Sequence, residues 1–167
     1  IVDFIYTRTM NLITIVTPTY NRARTLPTLY NSLCRQSSKR FNWLIIDDGS
    51  TDNTEQLIQT FDSPYFEIKY VKKENGGKHT ALNTAFDIVN TELTFIVDSD
   101  DWLTEDAVST IEDDWLGRES LDVCGISYLR GYNRTDVIGD IFPKDNEINN
   151  FITLRFNKHI GGDKAEV

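Results

Sequence analysis

The chain alternates between short β-branched apolar runs and segments whose apolar residues recur at helical spacing. Leu12 to Thr17 predicts a buried first strand, closed at Pro18. Leu26, Leu29, Tyr30, Leu33 and Cys34 predict one buried helix face, with Thr25 as cap and Pro27 near the start, where its missing N–H costs nothing. Trp43 to Ile46 reads as a second strand. Asp52 with Glu55 then forms the pattern of a capping box, opening a helix with Leu57, Ile58 and Phe61 inward. A third strand is expected over Phe66 to Val71, with Phe66, Ile68 and Tyr70 on one face. A helix is expected over Lys78 to Val89, turning Leu82, Ala85, Phe86 and Val89 inward, and Leu93 to Val97 is the fourth strand. Thr104 is the expected cap of the next helix, with Glu105 and Asp106 suiting its dipole and Leu103 and Val108 placed as a hydrophobic staple. Its core-facing residues are Val108, Ile111 and Trp115. Val123 to Leu129 is a further strand candidate, Arg130 to Asn150 is polar without a period, and Phe151 to Phe156 fits a weak strand or helix.

Strand followed by helix, repeated, is the pattern of an α/β fold with a mostly parallel central sheet flanked by helices. In such sheets ligands bind beyond the carboxyl ends of the strands. Four polar features fall on that edge: the loop after Thr17, the acids Asp47 and Asp48 after Ile46, the Asn75-Gly76-Gly77 turn, and the stretch from Asp98 to Asp101. In that last stretch Asp98, Asp100 and Asp101 crowd like charges that a divalent cation would relieve. The plainer reading is a solvated acidic turn leading into the next helix.

Composition narrows the choice. At 167 residues the chain is long enough for one domain with a real core, and 40% hydrophobic content is globular. A net charge of −9 with no basic cluster argues against nucleic acid or an anionic membrane surface as the main partner. It also favours a metal between acidic protein and any phosphate ligand. Cys34 and Cys124 have no paired spacing and lie in apolar segments, so both are expected in the core, in a reduced, cytoplasmic setting. No apolar run approaches the roughly 20 residues that span a bilayer. Residues 1–9 precede the sole methionine, Met10, and are expected to be a non-native or upstream extension; 10–167 are expected to form a single domain, cut short at its C-terminus.

Several chemistries are excluded by pattern. Pro18-Thr19-Tyr20-Asn21 is not a dinucleotide-binding glycine fingerprint, and Gly77-Lys78-His79 lacks the spacing and hydroxyl of a P-loop. Leu103 stands where a calcium-binding loop demands glycine. A phosphatase using Asp98 as nucleophile is a weak alternative, because Trp102 occupies the position that usually holds Thr or Val.

Four motifs in order, Thr14–Arg22, Ile46–Asp52, Asn75-Gly76-Gly77 with Ala81-Leu82-Asn83, and Val97–Trp102, resemble the inverting family 2 glycosyltransferases of the GT-A fold. The resemblance covers about Asn11 to Trp115. It implies a nucleotide-diphosphate-sugar donor, usually a uridine one, Mn²⁺ or Mg²⁺, and transfer with inversion to an acceptor hydroxyl. A glycan or lipid-linked glycan acceptor in surface polysaccharide synthesis would follow, at a cytoplasmic or inner-membrane peripheral location. By the same resemblance Tyr20 stacks on the base and Asp48 accepts its N–H, with Asp47 the other candidate for capping the Ser50–Asp52 turn. Pro18, Arg22 and Lys78 line the nucleotide site, Asp100 is the best metal ligand, and Asp98 and Asp101 share the ribose and second-ligand roles. His79 and Asn83 read as surface or structural residues. The general base that an inverting transfer needs is expected beyond Val167, since Asp163 and Glu166 look like the entry to an acceptor region. A chain without that base would bind donor and transfer poorly, leaving a non-catalytic nucleotide-sugar-binding module as the alternative function.

Overall fold

A computed structural model describes residues 11–116, 122–133, 135–142, 144, 148–149, 153–161 and 164–167. The expected extension at 1–9 and the candidate acid Asp163 lie outside these. The described chain divides into two compact units, Ile1–Glu112 and Asp113–Val167.

The first unit holds β1 (Ile13–Thr19), α1 (Leu26–Cys34), β2 (Phe41–Asp47), α2 (Thr54–Ile58), β3 (Ile68–Lys72), α3 (Lys78–Phe86) and β4 (Leu93–Ile96), and α4 (Ala107–Leu116) begins in it. The sheet order is β3-β2-β1-β4, and all three pairings are parallel. β1 and β2 are buried almost throughout, as a strand covered on both faces must be. Period-two alternation divides their side chains. Val16, Leu44 and Ile46 pack on Ala81 and Ala85 of α3. On the other face Trp43 donates to Thr17 Oγ1 at 2.9 Å and stacks with Tyr30 of α1 and with Phe61. Full burial of each such apolar side chain contributes about 1.5–3 kcal/mol.

Several local expectations shift, each for a physical reason. Asp52 accepts from the Thr54 and Ala23 amides, but Glu55 does not close a capping box; it pairs instead with Lys72 at 2.7 Å. Thr25 precedes α1 without a side-chain cap bond. The third strand starts at Ile68, and Phe66 before it stacks on Phe41. In α3 the inward line is Ala81 and Ala85; Phe86, expected inward, is next round the helix and 53% exposed. α4 begins after the expected Thr104 cap, and its early Val108 amide is taken by Gln36 Oε1 at 3.0 Å. The same buried Gln36 donates to the Thr104 carbonyl at 2.7 Å, so a residue just past α1 satisfies the start of α4. Cys34 and Cys124 are both exposed rather than core residues, since Cys34 ends α1 on its outer side.

In the second unit β5 (Ser127–Leu129) pairs antiparallel with β6 (Lys164–Glu166), and Thr153–Asn157 form a π-helical turn. β5 is the end of the longer strand expected over Val123 to Leu129. No helix among the described residues is long and apolar enough to cross a membrane.

Candidate functional site

A parallel sheet delivers every strand's carboxyl end to one edge, and the four loops found there are hydrogen-bonded to one another. Asp48 N donates to Thr19 O at 2.9 Å, and Lys73 N to Asp47 O at 2.9 Å, so the β1–β2 and β2–β3 ladders continue into the loops. Asn21, in the left-handed region at φ 53°, accepts from the Thr51 and Asp52 amides through Oδ1 at 2.8 and 3.2 Å. Its own amide donates to Ser50 Oγ at 2.9 Å. Gly49 is held at φ 80°, and a Cβ there would stand 2.9 Å from Asn75 N, so the β2 loop touches the Asn75-Gly76-Gly77 turn only because residue 49 is glycine.

The adjacent acids Asp47 and Asp48 are both buried but face different work. Asp47 Oδ1 accepts from Ser50 N at 2.8 Å and Oδ2 from the Tyr70 hydroxyl at 2.6 Å; it is the turn-capping residue. Burial first, and then this bond to Asp47, push the Tyr70 phenol well above its ordinary range. Asp48 is gripped from the other side. Lys73 Nζ reaches Oδ1 at 2.6 Å, Gly77 N reaches Oδ2 at 2.6 Å, and Gly76 N reaches both oxygens at 3.0 and 3.2 Å. Burial alone would raise the Asp48 pKa; Lys73 and the two glycine amides outweigh it and hold the carboxyl below its ordinary value. Gly76 and Gly77 immediately precede α3, so the anion seated on the amides at the entry to that helix is the protein's own Asp48.

A cavity of about 330 Å³ opens beside this clasp, lined by Pro18, Tyr20, Arg22, Asp48, Lys78 and Asp98, with Thr19, Ala81, Ser99 and Asp100 completing the wall. Tyr20 is 45% exposed, a ring offered to solvent at the cavity rather than a core aromatic. The crowded acids are relieved by cations of the chain itself: Lys78 Nζ lies 2.5 Å from Asp98 Oδ1 and Arg22 Nε 3.9 Å from Asp100 Oδ2. Both pairs are partly solvated and contribute at most about 1 kcal/mol each to stability, so they are easily exchanged. Asp101 does not line the cavity; its amide closes a turn onto Asp98 O at 3.0 Å. His79 and Asn83 are exposed.

The structure thus gathers Pro18, Tyr20, Arg22, Asp48, Lys78, Asp98 and Asp100 and leaves Asp101 aside. Sequence reasoning passed over Lys73 and Thr80, whose hydroxyl accepts from Lys73 Nζ at 2.8 Å. The available signal was position, because Lys73 directly follows β3 on the ligand edge. No group of three metal-binding side chains forms among the described residues. Asp98 and Asp100 are hard oxygen donors open to the cavity, a partial set that suits a cation taking its other ligands from phosphate and water.

Comparison with known proteins matches residues 14–164 to the model of glycosyl transferase family 2. Glycosyltransferase GlyA of Streptococcus pneumoniae is 32% identical over 99 residues, covering 59% of this chain and 14% of GlyA. Among solved structures, Staphylococcus aureus TarS 1–349 in complex with UDP superposes with a TM-score of 0.63 at 25% identity, over 79% of this chain and 39% of that one. Mannosyltransferase PcManGT from Pyrobaculum calidifontis, in complex with GDP-Man and Mn²⁺, gives 0.56 at 26% identity over 60% of this chain and 31% of that one. The α/β architecture is accordingly GT-A, and the chain spans well under half the length of each of these proteins.

Proposed function

Because this chain belongs to glycosyl transferase family 2, we propose that its cavity binds a nucleotide-diphosphate sugar, a uridine one first among candidates, for inverting transfer to an acceptor hydroxyl. The observation that carries the reading is the convergence, on one cavity, of an exposed aromatic ring, a buried carboxylate, two cations and two open carboxylates. Each suits one part of such a donor. Tyr20 offers a face for the base, and Asp48, kept ionised, offers an acceptor for a base N–H. Arg22 and Lys78 exchange their carboxylate partners for the diphosphate, and Asp98 turns to the ribose.

Asp100, with Asp98 beside it, would hold Mn²⁺ or Mg²⁺. The UDP and the Mn²⁺ bound by the two structural relatives support both assignments. When bound, the cation neutralises charge developing on the departing nucleoside diphosphate. Transfer breaks the anomeric carbon–phosphate oxygen bond as the acceptor oxygen attacks from the opposite face, its proton passing to a base. A glycan or lipid-linked glycan acceptor, at a cytoplasmic or membrane-peripheral site, belongs to the same proposal. With the family shown, a phosphatase using Asp98 as nucleophile is set aside.

Calorimetry with UDP tests the reading. UDP is expected to bind in the presence of Mn²⁺, and to lose at least about tenfold in affinity, or about 1.4 kcal/mol, in chelator or in Asp100→Ala. Absence of affinity for any nucleoside diphosphate at every metal concentration would overturn it.

A further inference from the structure

We propose that Lys73 is a positioning residue of the nucleotide site, holding Asp48 charged and oriented at the cavity wall through its contacts with Asp48 and Thr80. The inference rests on the reading of the cavity as a nucleotide site.

Asp48 needs such a partner. It is almost completely buried, and burial favours the neutral acid. A protonated Asp48 would lose the charge that makes it a strong acceptor for a base N–H, and would carry a donor of its own. Lys73 Nζ, 2.6 Å from Oδ1, brings a full positive charge into contact with this carboxylate, and the side chain that carries it is only 21% exposed. The ammonium is itself fixed. The Lys73 amide extends the β2–β3 ladder to Asp47 O, while Nζ also donates to Thr80 Oγ1 at 2.8 Å and to Glu74 O at 2.5 Å. Thr80 Oγ1 in turn donates to Gly77 O at 2.9 Å. One cation therefore ties the loop after β2, the loop after β3 and the first turn of α3.

The other charges around Asp48 are committed elsewhere. Asp47 turns to Ser50 and Tyr70. Lys78 pairs with Asp98 and Arg22 with Asp100. His79 is exposed, with its ring beside Gly77. A Lys73 that only braced the fold would weaken nucleotide binding by the same factor at every pH.

The test uses the 167-residue chain. In a His79→Gln background, which removes the nearest imidazole, UDP affinity with Mn²⁺ is measured against pH for wild-type residue 73, Lys73→Met and Lys73→Arg. The ¹³C carboxyl signal of Asp48 is titrated in parallel without ligand. In Lys73→Met, Asp48 is expected to titrate about one pH unit higher, and the affinity loss relative to Lys73 to be up to about tenfold greater in acid than at neutral pH. Comparison at each pH cancels the nucleotide's own titration. Lys73→Arg should restore both curves, while near-ultraviolet circular dichroism confirms that Lys73→Met is folded. An unmoved Asp48 titration, or an affinity loss independent of pH, overturns the role of Lys73 and leaves the site reading standing. No nucleotide binding with Lys73 present overturns the site reading and this inference with it.

Discussion

At the scale of single residues, the neighbours Asp47 and Asp48 show how one step along a strand separates structural from binding chemistry. Asp47 is wholly buried and both its oxygens are spent on Ser50 N and Tyr70. Tyr70→Phe removes one donor from that buried carboxylate and is expected to cost about 1.5–3 kcal/mol in urea denaturation, with UDP affinity little changed. Two of the shifted groups, Asp48 and Tyr70, also shape the pH range of stability. The Asp48 pKa is lowered in the folded state, so its contribution is present above an unfolded value of about 3.9 and lost as pH falls below it. The Tyr70 pKa is raised, so its contribution is present below about 10 and lost as pH rises further. Denaturant midpoints measured across pH should show both limbs, the acid one flatter in Asp48→Asn and the alkaline one flatter in Tyr70→Phe. The pair was legible in the sequence only as two candidates for two roles. Telling them apart takes the pleat, which sends successive side chains to opposite faces.

At the scale of elements, the strands and helices that bury a periodic face were legible, and their ends were not. A period identifies Val16, Leu44 and Ile46 as core; it does not reveal that Gln36, far away in sequence, serves the α4 amides better than Thr104. Glu55 likewise left its expected cap for Lys72, a partner visible only once β3 lies beside β2. Loops at the ligand edge behave as a single packed layer, and Gly49 is one of the points where two of them touch. Gly49→Ala meets both a left-handed φ and the Asn75 amide, and is expected to cost about 1–3 kcal/mol or more. Because the displaced turn carries the Gly76 and Gly77 amides, UDP affinity should fall as well. Calorimetry and denaturation on the same variant would show the two losses together.

Over the whole molecule, the sequence disclosed the parallel α/β architecture and the edge on which polar residues gather, because those follow from strand–helix alternation. It did not disclose that the crowded acids would find Arg22 and Lys78, since ion pairs across loops depend on the order β3-β2-β1-β4. A ligand that binds only the folded chain must stabilise all of the unit that carries it. UDP with Mn²⁺ at a hundred times its Kd is expected to add about 2.7 kcal/mol to stability, read as a rise in melting temperature that Asp100→Ala cuts to about half or less. The strand order also has a consequence in time. β1 meets β2 after a single intervening helix, so Ile13 finds Phe41 early, whereas its other flank waits for Leu93. A chain emerging from the ribosome can close β1, β2 and β3 into a sheet before β4 has been made. Until then the flank of β1 that will receive β4 stands open to any passing strand, which makes the span between β3 and β4 the interval of greatest exposure to misassembly.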